Sequence, residues 1–290
     1  MFLPEDLKRC LQRETQADIE RQIHKMDADI EVVTNLGHPS SREDVAWAWC
    51  AVNTRCLTLY TYTTKRQPKP GSPTLAMMPM LDLFNHSPQA AVEAGLDESN
   101  SYVIWTLKHI QANQQVFINY GPHDNPFLLR EYGFVAPNNP YDHAVLDSAY
   151  DEFRLDNEKP DNLETTNSYL EAVGYRGDYT VSVSAPISYR LLMALRLRCA
   201  LCCTQIPKEQ VNEIFLKVVY GEYDCISPEN ERMAIGAMRS ILVIEKDRVL
   251  EGTLRLRQDE RVQAQPVRSI LETTLNSLDS SITECVNYFS

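Results

Sequence analysis

The sequence predicts an α+β protein, with helices at both ends of the chain and short β-strands in the middle. Near the N-terminus, apolar residues recur every three to four positions between charged ones, as on an amphipathic helix. Between residues 75 and 120 the apolar stretches are short, and the last of them alternates like a half-buried strand. Helical periodicity returns beyond residue 186. A composition of 43% apolar and 23% charged residues excludes a disordered chain.

The N-terminal region predicts two helices. One periodic segment extends without interruption from Leu3 to about Val33, so we expect one long helix there. Ser40 and Ser41 then supply capping hydroxyls for a second helix, which we expect to end near Thr54.

The middle of the chain predicts β-structure interrupted by a loop. Residues 61–74 contain the run Gln-Pro-Lys-Pro-Gly-Ser-Pro, and proline cannot continue a helix or a central strand. We therefore predict a solvated surface loop there. Short apolar or alternating stretches predict strands over 75–81, 101–107 and 115–120.

The C-terminal half predicts a helical domain without an internal repeat. A polar, irregular stretch begins at residue 137, and we place the domain boundary near residues 140 to 160. The predicted helices cover residues 186–204, 207–220, 228–251 and 265–287.

The charge balance excludes some classes of partner. The chain has 28 Lys and Arg against 40 Asp and Glu, a net charge of −12, which opposes direct binding to nucleic acid. No stretch approaches the roughly 18 apolar residues of a membrane span, and the N-terminus does not resemble a signal peptide. We expect a soluble protein of the cytoplasm, the nucleus or both, without membrane contact, that attracts basic protein partners.

Eight cysteines are scattered along the chain and do not predict a disulfide framework. Cys199 and Cys202 form a C-x-x-C, but no second pair stands at metal-site spacing. Since Leu191, Leu195, Cys199 and Cys203 repeat with a four-residue period, we predict thiols on a buried helix face and no metal site.

Two groups of residues stand out for their chemistry. Asn85-His86-Ser87 follows one predicted strand, and Tyr120-Gly121 follows another, with Tyr132-Gly133-Phe134 a short distance beyond. Taken singly, the asparagine and histidine could satisfy a turn. The tyrosines could likewise be core aromatics with their hydroxyls in water.

Together these motifs resemble the paired signature of SET-domain methyltransferases. The upstream segment from Trp47 to Arg55 is similar to the one that precedes the second half of the domain in the RuBisCO large-subunit methyltransferase branch. The resemblance implies a partial SET domain over 1–140, with a helical insert at 1–60 and catalytic strands and motifs at 74–135. It also implies that residues 141–290 form the helical substrate-binding domain of that branch.

The resemblance implies protein-lysine N-methylation with S-adenosylmethionine, histone lysine being one candidate substrate. It makes Tyr120 the tyrosine at the point of methyl transfer, where it orients the amine and the methyl group. A phenol with a pKa near 10 is a poor base at neutral pH, so we assign this residue orientation and electrostatic stabilisation. By the same resemblance, Asn85, His86, Tyr120 and Phe134 bind the cofactor. Arg55, Asp82, Tyr102 and Tyr132 line the lysine channel, although an ion pair or a cap would equally explain Arg55 and Asp82.

The sequence also departs from the family. SET enzymes carry a glycine-x-glycine word on their first strands, and the ten glycines here include no such spacing. We therefore expect a chain that begins midway through the domain, binds the cofactor weakly and has little or no activity. Two alternatives stay open: a protein-histidine N-methyltransferase, whose pocket would fit an imidazole, and a non-catalytic module that binds a protein partner.

Overall fold

The computed structural model describes residues 3–37, 40–60, 73–99, 101–156, 158–203 and 206–289. The chain forms two compact units, one of residues 18–141 and one of residues 1–17 together with 142–290. Helices and short strands are both present, so the prediction of an α+β protein is confirmed. Among the described residues, no helix has the length and apolar character that crossing a membrane requires.

The predicted single N-terminal helix is wrong, because the segment breaks into two helices. Helix α1 is Glu5–Lys8 and helix α2 is Arg13–Asn35. After α1 the backbone tightens into a turn closed by hydrogen bonds between residues three apart. The side chain of Gln12 donates to the Val145 carbonyl at 2.8 Å and to Glu245 at 2.9 Å. These partners are more than a hundred residues away, so local periodicity could not reveal the break.

The unit of residues 18–141 contains the second predicted helix. Helix α3 is Arg42–Arg55, and the Ser41 hydroxyl accepts from the Asp44 amide while the Asp44 carboxylate accepts from the Ser41 amide. This reciprocal cap confirms the start predicted from the serines. Strands β1 (Leu57–Tyr60) and β2 (Pro73–Ala76) then pair antiparallel.

The strand predicted over 75–81 is wrong beyond Ala76. A 3-10 turn over Leu81–Leu83 replaces its end, and Met80 before that turn has a φ of 78°, a value that no strand residue adopts. Of the predicted proline-rich loop, residues 61–72 lie outside the described residues.

Two further strand pairs complete the described sheet structure of this unit. Strands β4 (Val92–Leu96) and β5 (Tyr102–Thr106) form an antiparallel hairpin. Strands β3 (Asn85–His86) and β6 (Phe117–Ile118) pair in parallel, Asn85 opposite Phe117 and His86 opposite Ile118. The predicted strands at 101–107 and 115–120 are confirmed in place, the second being shorter than expected.

Helix α4, Asn125–Tyr132, follows with clear sequence signals at both ends. The Asp124 carboxylate caps it by accepting from the Phe127 amide at 2.9 Å. Gly133 ends it with a φ of 79°, the left-handed conformation that glycine adopts without a steric cost.

The other unit is mainly helical. The described pieces of residues 142–290 include a two-strand pair, β7 (Ala144–Val145) with β8 (Thr180–Val181), and two shorter helices, α5 (Asp147–Glu152) and α6 (Pro160–Ala172). Its long helices are α7 (Tyr189–Cys203), α8 (Lys208–Val219), α9 (Pro228–Arg255) and α10 (Ala264–Asn287). All four long helices were predicted within a few residues of their ends.

The core of this unit lies where α9 packs against α7 and α10. Leu191, Leu195 and Cys199 are all fully buried on α7, which confirms the predicted helix face. The side chain of Cys203 lies outside the described residues. The guanidinium of Arg198 and the carboxylate of Glu158 form an ion pair at 2.6 Å with both side chains at most 1% exposed.

Candidate functional site

The parallel pairing of β3 with β6 brings the two sequence motifs together. The imidazole Nδ1 of His86 accepts a hydrogen bond from the Tyr120 backbone amide at 3.1 Å. The two rings lie with centroids 5.2 Å apart. Since these residues are 34 positions apart in the sequence, the contact depends on the strand pairing and not on local structure.

The hydroxyl of Tyr120 is fixed by two neighbours. It donates to the Phe84 carbonyl at 2.7 Å, and the Arg55 guanidinium lies 3.4 Å from it. The same guanidinium nitrogen donates to the Asp82 backbone carbonyl at 3.1 Å. Arg55 and Asp82 therefore meet through a backbone oxygen and not as an ion pair of side chains.

Further aromatic rings pack beside the ring of Tyr120. The ring centroids of Tyr132 and Tyr120 are 5.0 Å apart. The ring centroid of Phe134 lies 6.2 Å from that of Tyr132 and 5.9 Å from that of His86. These separations are typical of packed aromatic pairs. Tyr120, Tyr132 and Phe134 thus form one aromatic cluster with His86.

A buried asparagine at the start of α4 holds the loop after that helix in place. The side chain of Asn125 is fully buried, donates to the Ala136 carbonyl at 3.0 Å and accepts from the Ala136 amide at 2.7 Å. These two hydrogen bonds tie the two ends of the segment that carries Tyr132 and Phe134 to each other. We infer that Asn125 determines where those two rings lie.

A cavity of about 200 Å³ opens beside the Tyr120 hydroxyl. Its apolar wall comes from the β4–β5 hairpin, through Val92, Ala94 and Ile104. All four residues predicted to line a lysine channel lie on it together with the predicted catalytic residue: Arg55, Asp82, Tyr102, Tyr120 and Tyr132. Asn85, His86 and Phe134, predicted to bind a cofactor, are not among its lining residues.

Burial sets the protonation of the site. It raises the pKa values of the Tyr120 and Tyr132 phenols, and the Arg55 charge offsets part of that rise at Tyr120. Burial also lowers the pKa of His86, with a smaller contribution from His123. At neutral pH the phenols are protonated and the imidazole is uncharged.

His86 keeps one buried polar atom without a partner. Because its Nδ1 accepts a hydrogen bond, the neutral ring carries its proton on Nε2, and that atom has no hydrogen-bond partner among the described residues. Asn85 lies on the opposite face of β3 and is exposed. The two side chains of this motif therefore face different ways, one into the aromatic cluster and one outward.

Two groups of the site had no role in the sequence interpretation. The acceptor of the Tyr120 hydroxyl is a backbone carbonyl, that of Phe84, which no residue type could reveal. Asn125 lies between the Tyr120-Gly121 and Tyr132-Gly133-Phe134 motifs, but its hydrogen bonds to Ala136 depend on how the loop after α4 folds back. An asparagine next to a helix cap was the available signal, and it equally predicts an ordinary turn.

Comparisons with known proteins place this geometry in context. SET domain-containing protein 4 of Mus musculus is 37% identical over 226 residues, which cover 73% of this chain and 48% of that protein. Ribosomal lysine N-methyltransferase set11 of Schizosaccharomyces pombe is 35% identical over 152 residues, 52% of this chain and 35% of that protein. No protein-family model matches the chain.

The fold is shared with solved structures. A structure of Rubisco LSMT bound to sinefungin and monomethyllysine aligns with a TM-score of 0.62 at 19% identity, over 99% of this chain and 66% of that one. The chain spans about half the length of the curated relatives it matches, 48% and 47% for the mouse and human proteins.

Proposed function

Because this chain belongs to the SET-domain family, in the branch of SET domain-containing protein 4, we propose that it methylates a lysine side chain of a protein substrate. The observation that carries the proposal is the Tyr120 hydroxyl, fixed between the Phe84 carbonyl and the Arg55 guanidinium at a cavity walled by tyrosines. A linear side chain ending in an amine has the shape and polarity that such a cavity suits.

The cavity would act on the lysine through desolvation and orientation. Its apolar and aromatic wall disfavours a charged ammonium and so lowers the pKa of an incoming lysine. The Tyr120 hydroxyl donates its proton to the Phe84 carbonyl and accepts from Arg55, so its second lone pair is available to accept from the amine. Burial raises the pKa of this phenol, which supports a role in alignment and argues against proton abstraction by it.

The residues of β3 and the aromatic cluster would hold the methyl donor. When bound, S-adenosylmethionine would supply the methyl group of its sulfonium: the neutral amine would bond to the methyl carbon as the carbon–sulfur bond breaks, and the sulfur would leave as a neutral thioether. The buried Nε2–H of His86 is a donor that the described residues leave unsatisfied, and it would suit an acceptor atom of this ligand. Phe134 offers a ring beside it, and Asn85 an exposed amide on the other face of the strand.

The charge of the protein supports a class of substrate and, through it, a compartment. With a net charge of −12, the protein favours a lysine carried by a basic segment, such as a histone tail or a ribosomal protein. Proteins of this kind occur in the cytoplasm and the nucleus. We propose that the protein acts in one of these compartments.

Labelled S-adenosylmethionine incubated with the protein and a basic protein extract tests the proposal. We expect labelled methyl-lysine after acid hydrolysis, and Tyr120→Phe should lower its formation by about a hundredfold or more, as for loss of one orienting group in other active sites. Tyr220→Phe, at a residue that is 74% exposed, is the matched control and should leave the rate unchanged.

Three other outcomes are informative. Label recovered in methyl-histidine would replace the lysine assignment by the histidine alternative. An unchanged rate in Tyr120→Phe would overturn the role of that hydroxyl. Calorimetry that detects neither S-adenosylmethionine nor sinefungin, together with stable capture of a protein partner by wild type and Asn85→Ala, would favour the non-catalytic module.

A further inference from the structure

Arg55 places a positive charge at the cavity and is not neutralised there. It is the last residue of α3, and the two oxygens that it contacts are the uncharged hydroxyl of Tyr120, at 3.4 Å, and the uncharged backbone carbonyl of Asp82, at 3.1 Å. Among the described residues it forms no ion pair with a carboxylate. A guanidinium stays protonated at every pH at which the protein is folded, so this charge is permanent.

Arg55 is the charged residue in direct contact with the Tyr120 hydroxyl among the described residues. Burial raises the pKa of that phenol, and the positive charge of Arg55 lowers it, because it stabilises negative charge on the oxygen. Asp82 lines the same cavity from the 3-10 turn, and Arg55 contacts its backbone carbonyl and not its carboxylate. The Tyr132 phenol and the neighbouring His86 imidazole are uncharged at neutral pH, and Tyr102 and Cys56 also line the cavity.

We propose that Arg55 makes the site selective for the neutral amine form of lysine, by repelling an ammonium that approaches the Tyr120 hydroxyl. The inference rests on the proposed function, because it concerns the protonation state of that substrate. Two like charges about 5 Å apart at a partly exposed site repel strongly enough to move a protonation equilibrium by about one pH unit. The amine needs its lone pair in order to react, so a charge that excludes the ammonium selects the reactive form.

The first test is the pH dependence of turnover, with N-acetyl-lysine amide as the methyl acceptor. We expect the acid limb of the wild-type kcat profile to move up by about one pH unit in Arg55→Gln. The rates of the two proteins should converge at high pH, where the lysine is neutral in both. Arg55→Lys keeps the charge and should keep the wild-type midpoint, a readout that loss of packing would not produce.

Arg42→Gln is the matched control for the loss of one positive charge. Arg42 is the first residue of the same helix, and it pairs with Asp27 at 2.6 Å, away from the cavity. It should leave the midpoint in place. Coincident midpoints for wild type and Arg55→Gln would overturn the inference while leaving the proposed methylation intact.

A second measurement needs no turnover. Saturation-transfer NMR at pH 6 compares N-acetyl-lysine amide with N-acetyl-norleucine amide, whose side chain has the same four carbons but lacks the charged terminal amine. We expect the wild type to prefer norleucine, and Arg55→Gln to reduce that preference about tenfold. Equal preference in wild type would overturn the inference. Absence of methyl transfer from labelled S-adenosylmethionine would remove the proposed function and, with it, this inference, whatever the preference between the two ligands.

Discussion

Replacing Asn125 by alanine should destabilise the unit of residues 18–141 by about 2–4 kcal/mol. The substitution removes two hydrogen bonds, at 2.7 and 3.0 Å, between a fully buried side chain and the backbone of Ala136. Two such bonds contribute about 1 kcal/mol each, and the Ala136 amide and carbonyl that are left without partners cost about 1–3 kcal/mol each if they stay buried. Partial rehydration of the loop keeps the expected loss below the sum of these costs.

The chain offers a selective probe for this change. All three tryptophans, Trp47, Trp49 and Trp105, lie in residues 18–141, so their fluorescence during urea unfolding reports this unit. Asn53→Ala, at an exposed position of α3, is the control and should change the free energy of unfolding by less than about 0.5 kcal/mol. A loss below about 0.5 kcal/mol in Asn125→Ala would refute the reasoning, because the Ala136 groups would then have found other partners.

Three further changes probe other features of the fold. Gly252→Ala should lower the free energy of unfolding by more than about 2 kcal/mol, because the new Cβ would collide with a backbone carbonyl after α1. Gly236→Ala on the same helix places its Cβ where nothing lies within 4 Å, so it should be neutral or stabilising. Urea unfolding followed by circular dichroism compares the two variants. Glu158→Gln leaves the buried Arg198 without its counter-charge and should cost about 3–5 kcal/mol in the same assay, and a loss under 1 kcal/mol would contradict this. Burial lowers the pKa of His86 below the usual 6.5, so the neutral imidazole contributes its full stability above pH 6.5, and this contribution is lost as the pH falls through the lowered pKa. Unfolding in urea, followed by tryptophan fluorescence, should therefore have a lower midpoint at pH 5.5 than at pH 7.5. His86→Gln should reduce this difference.

Much of the secondary structure was predictable because its signals are local. The cap of α3 depends on Ser41 and Asp44, three residues apart, and the end of α4 depends on Gly133 directly after the last turn. The long C-terminal helices likewise follow from an apolar period of three to four residues. In each case the interacting groups lie within about one helical turn, so the residue order contains the whole interaction.

The break between α1 and α2 was not predictable, because its cause lies far away in the chain. Gln12 bonds to Val145 and Glu245, and the first 17 residues pack in the unit of residues 142–290. The apolar period continues through the break, so the sequence favoured one helix. The predicted boundary of a SET-type domain near residue 140 stays a prediction about the family.

By itself the sequence determined the fold class, helix α3, the four long C-terminal helices and the motifs, and the relatives confirm the resemblance to SET-domain proteins that those motifs imply. Only the tertiary structure decided which groups meet: the Tyr120 hydroxyl on the Phe84 carbonyl and the Arg55 guanidinium, and the side chains of Asn85 and His86 on opposite faces of β3. Such contacts join residues tens of positions apart, and they form only when the intervening chain folds and brings its ends together. Residue type indicates which chemistry is available, and the fold determines which atoms are close enough to use it.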